Sequence, residues 1–176
     1  MGGALTLPGN VSPAAEANIS QDPEAADYLF KCGARTTMIG LDVTHQTALT
    51  REKAHEWASL GTQAGDFLVT MTDYYIDFYL KNQPEIHGCG LHDPLAVAAA
   101  LDPSLVTTFG FNLQVDLEGP FRGRTIGDRS RLQDPDQTHP SRIGRQRAGI
   151  PRPFHDPRHR GRVRVNDYAS ALLFSI

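Results

Sequence analysis

An α/β layered fold is the class this sequence predicts, and two observations carry that reading. Helix-like and strand-like segments alternate along residues 1–124. Over 109–117, Phe109, Phe111, Leu113, Val115 and Leu117 alternate with smaller or polar residues, the period-2 signature of a strand. A third observation limits how far the fold extends. Residues 1–124 carry a formal charge of −8 and residues 125–176 one of +5, and every basic residue of the second part is arginine.

The elements follow in order. Residues 1–12 read as a Gly-rich loop, and Ser12-Pro13 as a helix start with Ser12 capping. Asp22-Pro23-Glu24 opens a clearer helix that runs to about Lys31 and stops at Gly33. "TTMIGL" (36–41) is β-branched and apolar, which suits a buried strand. Thr50 begins a helix ending near Gly61, and 62–82 forms the next. On that second helix Phe67, Met71, Tyr74, Tyr75, Phe78 and Tyr79 recur at helical spacings, a pattern expected of core packing. A further helix covers 94–101, and Gly119-Pro120 closes the strand at 109–117.

Beyond Thr125 the periodicity dissolves. Residues 125–165 are rich in Arg, Pro, His and Gly, and are expected to be disordered or to be a stretch read in the wrong frame. An Arg-rich segment can neutralise phosphates. This one lacks interleaved aromatics apart from Phe154, so nucleic acid is not an expected partner. Residues 166–176 again look like folded sequence, a terminal helix of the domain.

The totals fit one soluble domain of 176 residues with net charge −3. No apolar run would span a bilayer, and the N-terminus has no basic leader region. Cys32 and Cys89 make neither a disulfide framework nor a CxxC pair. A reducing, cytoplasmic setting is therefore expected, with no membrane partner.

The stretch "GLHDPLAV" (90–97) sets His92 beside Asp93 at the mouth of an apolar run. Asp93 can cap the helix with Pro94 as its first residue, or the pair can face a ligand. Likewise Asn10 suits a turn, Asn18 a local cap, and Glu16 a solvated helix face.

Four segments taken together, "MGGALTLPGNVSPAAEANI", "DPEAA", "GLDVTHQ" and "LHDPLAVAAALDPSLV", resemble the inosine-uridine-preferring nucleoside hydrolases in order and spacing, over residues 1–124. The resemblance implies the C-terminal part of an open, mostly parallel sheet with flanking helices. It implies Ca²⁺-dependent hydrolysis of the N-glycosidic bond of a ribonucleoside to free base and ribose. Asp93 matches a calcium-ligating aspartate, and His92 the catalytic histidine beside the leaving base. Asn10, Glu16 and Asn18 match polar groups that grip the ribose hydroxyls, while Ala17 stands where the family usually has Phe. Tyr75 and Tyr79 match, loosely, tyrosines that close over the base. Homo-oligomers are common in the family.

These residue types suit that chemistry. Glycosidic cleavage passes through an oxocarbenium-like transition state. A hard cation can orient a diol and acidify water. An imidazole can protonate a departing base.

The family's Asp-rich signature, D-x-D-P-G-x-D-D, supplies most calcium carboxylates and is not found here. Two readings follow from the resemblance: a purine or pyrimidine nucleosidase, or a truncated and catalytically inactive remnant with too few calcium ligands.

Overall fold

The computed structural model describes residues 1–131 and the backbone of a strand at Ser141–Gln146. The expected terminal helix at 166–176 lies outside the described residues. The fold is α/β, and the expected initial loop runs on past Ser12-Pro13. Ser12 Oγ accepts from the N–H groups of Ala14 and Ala15 at 3.2 and 2.9 Å, a local turn. The carbonyls of Pro13 and Ala15 accept from Gly9, Val11 and Ser12 behind them, so they do not start a helical ladder. Gly9 lies so close to Ala15 that a Cβ there would fall 2.0 Å from the Ala15 oxygen. Helix α1 therefore starts only at Ala17–Gln21, capped by Glu16.

Helix α2 (Pro23–Lys31) follows the sequence reading. Asp22 Oδ1 accepts from Ala25 N at 2.9 Å, Pro23 occupies the first turn, and Gly33 takes φ 82° just past the end. Strand β1 is only Thr37–Met38, and α3 (Leu41–Thr44) begins where the apolar run was expected to continue as strand. The reason lies in the pairing of the first residues. Gly2 N donates to Ile39 O at 3.1 Å and Leu41 N to Gly3 O at 2.8 Å. The N-terminal stretch thus satisfies the backbone that a longer ladder would have used.

Strand β2 (Ala48–Leu49) pairs antiparallel with β3 (Cys89–Gly90), and Leu91 N donates to Thr47 O at 3.0 Å. Between them lie α4 (Arg51–His55) and α5 (Gln63–Asn82), capped by Thr50 and Thr62. Helix α5 buries Gly65, Leu68, Thr72, Ile76 and Tyr79. The side chains Leu68, Ile76 and Tyr79 pack against Leu49, Ala54, Trp57, Cys89 and Leu91. The core-packing expectation for the aromatic stripe holds at Tyr79 and is corrected at the other five positions. Phe67, Met71, Tyr74, Tyr75 and Phe78 are exposed, because the buried 68–72–76–79 row lies on the adjacent face.

Helix α6 (His92–Leu101) begins two residues earlier than predicted, with Leu91 rather than Asp93 at its N-cap and no side-chain cap. Leu95 and Ala99 pack on Ile39, Val43 and Val106. The alternating run divides at Asn112 into β4 (Val106–Phe111) and β5 (Leu113–Val115). Asn112 is buried: its Nδ2 donates to Arg131 O at 2.9 Å, and its carbonyl accepts from Asp128 N at 2.8 Å. Those bonds turn the chain toward new partners. Strand β5 pairs with β6 (Thr125–Gly127), and Asp27 Oδ1 accepts from Val115 N at 2.9 Å, tying β5 to α2.

Strand β7 (Ser141–Gln146) sits between β1 and β4, parallel to the first and antiparallel to the second. β6 and β7 both lie within 125–165, whose composition gave no strand period. A strand inserted between two others is held through its backbone groups, which composition does not reveal. Among the described residues β1–β7 is the one parallel pairing, and the strands form three small sheets.

Candidate functional site

The predicted residues gather in two neighbouring places. The first is the N-terminal loop. Glu16 is 2 % exposed, and its carboxylate accepts from Gly3 N (2.8 Å), Asn18 N (2.9 Å) and Ile19 N (3.1 Å). It is a buried helix cap, not a solvated face; the helix dipole adds to these charge-assisted bonds. Asn10 Oδ1 accepts from Ala17 N at 2.9 Å, which folds the loop back on α1. Asn18 is exposed, with Nδ2 3.2 Å from Met1 Sδ.

Two residues not singled out from sequence hold this loop. Asp42 accepts from Leu5 N (2.8 Å), Thr6 N (2.7 Å), Thr6 Oγ1 (2.6 Å) and Leu7 N (3.3 Å). Burial pushes its carboxyl up, but those donors together bring it below the ordinary 3.8. Arg124 donates to the carbonyls of Leu5 (2.7 Å), Leu7 (2.7 Å) and Ala14 (3.2 Å). One anion takes the loop's N–H groups and one cation its C=O groups.

The second place is the start of α6, brought against α3 by the β2–β3 pairing. His92 is half-buried and engaged at both ring nitrogens. Nδ1 lies 2.7 Å from Thr44 Oγ1, and Nε2 lies 2.6 Å from Tyr79 OH. Tyr75 OH donates to Tyr79 OH at 3.5 Å. The ring of His92 folds back over Gly90, where a Cβ would fall 2.5 Å from Nε2. Burial, then the neighbouring His45, lower the His92 pKa, while the carboxylates of Asp93 and Glu16 oppose them. Helix α3 joins the two places, with Asp42 holding Leu5 and Thr6 of the loop and Thr44 meeting His92. His45 stands 5.8 Å from His92, ring to ring; its Nε2 is shielded without a partner, and burial lowers its pKa. Burial raises the Tyr79 hydroxyl well above the ordinary phenol value, so it keeps its proton.

Asp93 is exposed in the first turn of α6. Among the described residues no three His, Cys, Asp or Glu side chains come together as a metal-holding group. Calcium wants six to eight oxygens, so the described residues do not make a calcium site by themselves.

Thr44, Asp42, Gly90 and Arg124 were all in reach of the sequence. Thr44 and Asp42 belong to "GLDVTHQ" and Arg124 to "RGRT", but a local pattern does not disclose contacts made across 35 to 119 positions.

The comparisons with known proteins agree with one another. The family model for inosine-uridine preferring nucleoside hydrolase matches residues 1–147. A "Probable uridine nucleosidase 2" of Arabidopsis thaliana is 42 % identical over 126 residues, covering 72 % of this chain and 39 % of that protein. A "Pyrimidine-specific ribonucleoside hydrolase RihA" of Salmonella newport is 37 % identical, covering 73 % and 41 %. Among solved structures, a purine-preferring ribonucleoside hydrolase from Gardnerella vaginalis superposes with a TM-score of 0.77 at 60 % identity, covering 82 % of this chain and 45 % of that one. The chain spans less than half the length of these relatives. With the model matched across most of the chain, it belongs to the inosine-uridine preferring nucleoside hydrolase family.

Proposed function

We propose that this chain serves hydrolysis of the N-glycosidic bond of ribonucleosides, releasing free base and ribose. The observation that supports it most is that α3 holds both the N-terminal loop, through Asp42, and the His92–Tyr79 hydroxyl–imidazole chain, through Thr44. Polar groups for a sugar are thereby tied to a proton-carrying group for a leaving base. As C1–N cleaves, positive charge develops on the ribose and negative charge on the base. In this reading the charge of Glu16 would favour the first from behind the loop it caps, and Asn10 and Asn18 would orient the hydroxyls. On the other side the imidazole of His92, once protonated, would be the donor to the departing base nitrogen, with Tyr79 and Thr44 holding the ring, and water would give its hydroxyl to C1 and its proton back to the ring.

Calcium dependence belongs to this proposal with Asp93 as one ligand. The remaining oxygens would have to come from outside the described residues, so no step is derived through the ion. The mostly parallel sheet, cytoplasmic location and homo-oligomeric state are likewise proposals. The relatives' names include both a purine-preferring and pyrimidine-specific or uridine enzymes, so inosine and uridine are the substrates to compare. The second reading, a chain that holds the sugar but does no chemistry, has its support in Asp93 being a single carboxylate.

Side-chain amide resonances of Asn10 and Asn18 should shift on titration with D-ribose. In millimolar calcium, base release should be measurable and should fall in Asp93→Ala. Ribose binding without base release would favour the second reading. Neither, from a folded sample, would defeat both.

A further inference from the structure

We propose that Thr44 is a positioning residue for His92: its buried hydroxyl accepts the Nδ1 proton and so fixes the imidazole as the tautomer whose Nε2 lone pair points at Tyr79. This rests on the reading of His92 as part of the reactive chain, and it goes beyond that reading by assigning the tautomer of the ring.

The geometry leaves few arrangements. Thr44 is 0 % exposed, on the last turn of α3, and its Oγ1 lies 2.7 Å from Nδ1. Tyr79 OH lies 2.6 Å from Nε2. A neutral imidazole donates at one nitrogen and accepts at the other, so one hydroxyl must give a proton and the other receive one. A phenol is the stronger acid and the stronger donor; an aliphatic hydroxyl is the better acceptor. Tyr79 also accepts from Tyr75 OH at 3.5 Å, which leaves its own proton free to donate. The bonds then run in one direction: Tyr75 to Tyr79, Tyr79 to Nε2, and Nδ1 to Thr44. The reverse direction would make the phenol the acceptor and the aliphatic hydroxyl the donor, against their relative acidities.

The position is set by backbone. The β2–β3 pairing and the Leu91 N to Thr47 O bond bring α6 to α3, and Gly90 gives the ring its room. Among the described residues no hydrogen bond joins His45 to His92, whose rings stand 5.8 Å apart. Without Thr44 the ring would keep its place in the fold but lose the group that decides which nitrogen carries hydrogen.

The test reads the tautomer directly, from imidazole ¹H–¹⁵N correlations of the uniformly labelled chain at a pH where His92 is neutral. Wild type should show protonated-type Nδ1 and lone-pair-type Nε2. Thr44→Val should shift population toward Nε2–H, and Thr44→Ser should restore the wild-type pattern. Wild-type His92 protonated at Nε2 would overturn the proposal with no variant needed. So would a Thr44→Val spectrum unchanged from wild type. Where nucleoside turnover is measurable, Thr44→Val should lower kcat on the order of tenfold with KM within about twofold, and Thr44→Ser should recover it. A kcat loss with the tautomer unmoved would also count against the assignment. A folded wild type that shows the expected tautomer and no turnover would defeat the hydrolase reading and leave this one standing.

Discussion

At the scale of single residues, Glu16 joins structure and chemistry most tightly. Its one carboxylate accepts from three backbone N–H groups, of Gly3, Asn18 and Ile19, and so ties the N-terminus to α1. Glu16→Ala should lower unfolding free energy by about 3 kcal/mol in urea, since it removes a cap and strands buried donors. Asn18→Ala, at an exposed site, should change stability by no more than about 0.5 kcal/mol while weakening ribose binding. Gly90 is a matter of room. A methyl there meets His92 Nε2 at 2.5 Å, so Gly90→Ala must move the ring off Tyr79. Turnover should fall roughly a hundredfold, with the urea midpoint close to wild type, as expected when a reacting group is displaced by about an ångström. A variant with full turnover would mean that His92 acts from another position.

At the scale of elements, two contrasts can be measured. Ile76, on the buried face of α5, should cost about 3 kcal/mol on truncation to Ala, and Tyr74, on the opposite face, no more than about 0.5 kcal/mol. The loop at 5–14 depends on the opposed grips of Asp42 and Arg124. Asp42→Asn or Arg124→Met should speed amide exchange at Leu5, Thr6 and Leu7 well before global unfolding. The same contrasts explain what the sequence disclosed. Helix starts marked by a cap and proline, such as Asp22-Pro23, were readable because their bonds lie within three residues. Asp93-Pro94 fits a cap and first residue by local pattern, yet α6 starts at His92 with no side-chain cap. The aromatic stripe of α5 misled for a related reason: amphipathic spacing fits two adjacent faces, and only Trp57, Cys89 and Leu91 decide which is buried. His92 and Asp93 stood out as a pair, but Thr44, 48 positions away, had no local signal.

At the scale of the whole molecule, stability should depend on pH in two stages. Burial holds His45 and His92 below the ordinary imidazole value of 6.5, so the unfolded chain takes up protons before the folded one does. Their contribution is complete above about pH 6.5 and is lost as pH falls through the depressed folded values. Asp42 and Asp128 sit below 3.8, because backbone and side-chain donors outweigh burial, so their contribution is lost at lower pH still. The urea midpoint should therefore be lower at pH 5.5 than at pH 7.5 and fall again toward pH 3; a flat profile would mean that neither histidine is neutral by burial. No described helix is long and apolar enough to cross a membrane. The most direct test of the central claim is ribose release from inosine by the folded chain in millimolar calcium, beside His92→Ala with an unchanged urea midpoint. Turnover in wild type that falls at least about a hundredfold in the variant is the expected result. Equal rates in the two chains, or none from folded wild type, would contradict the account.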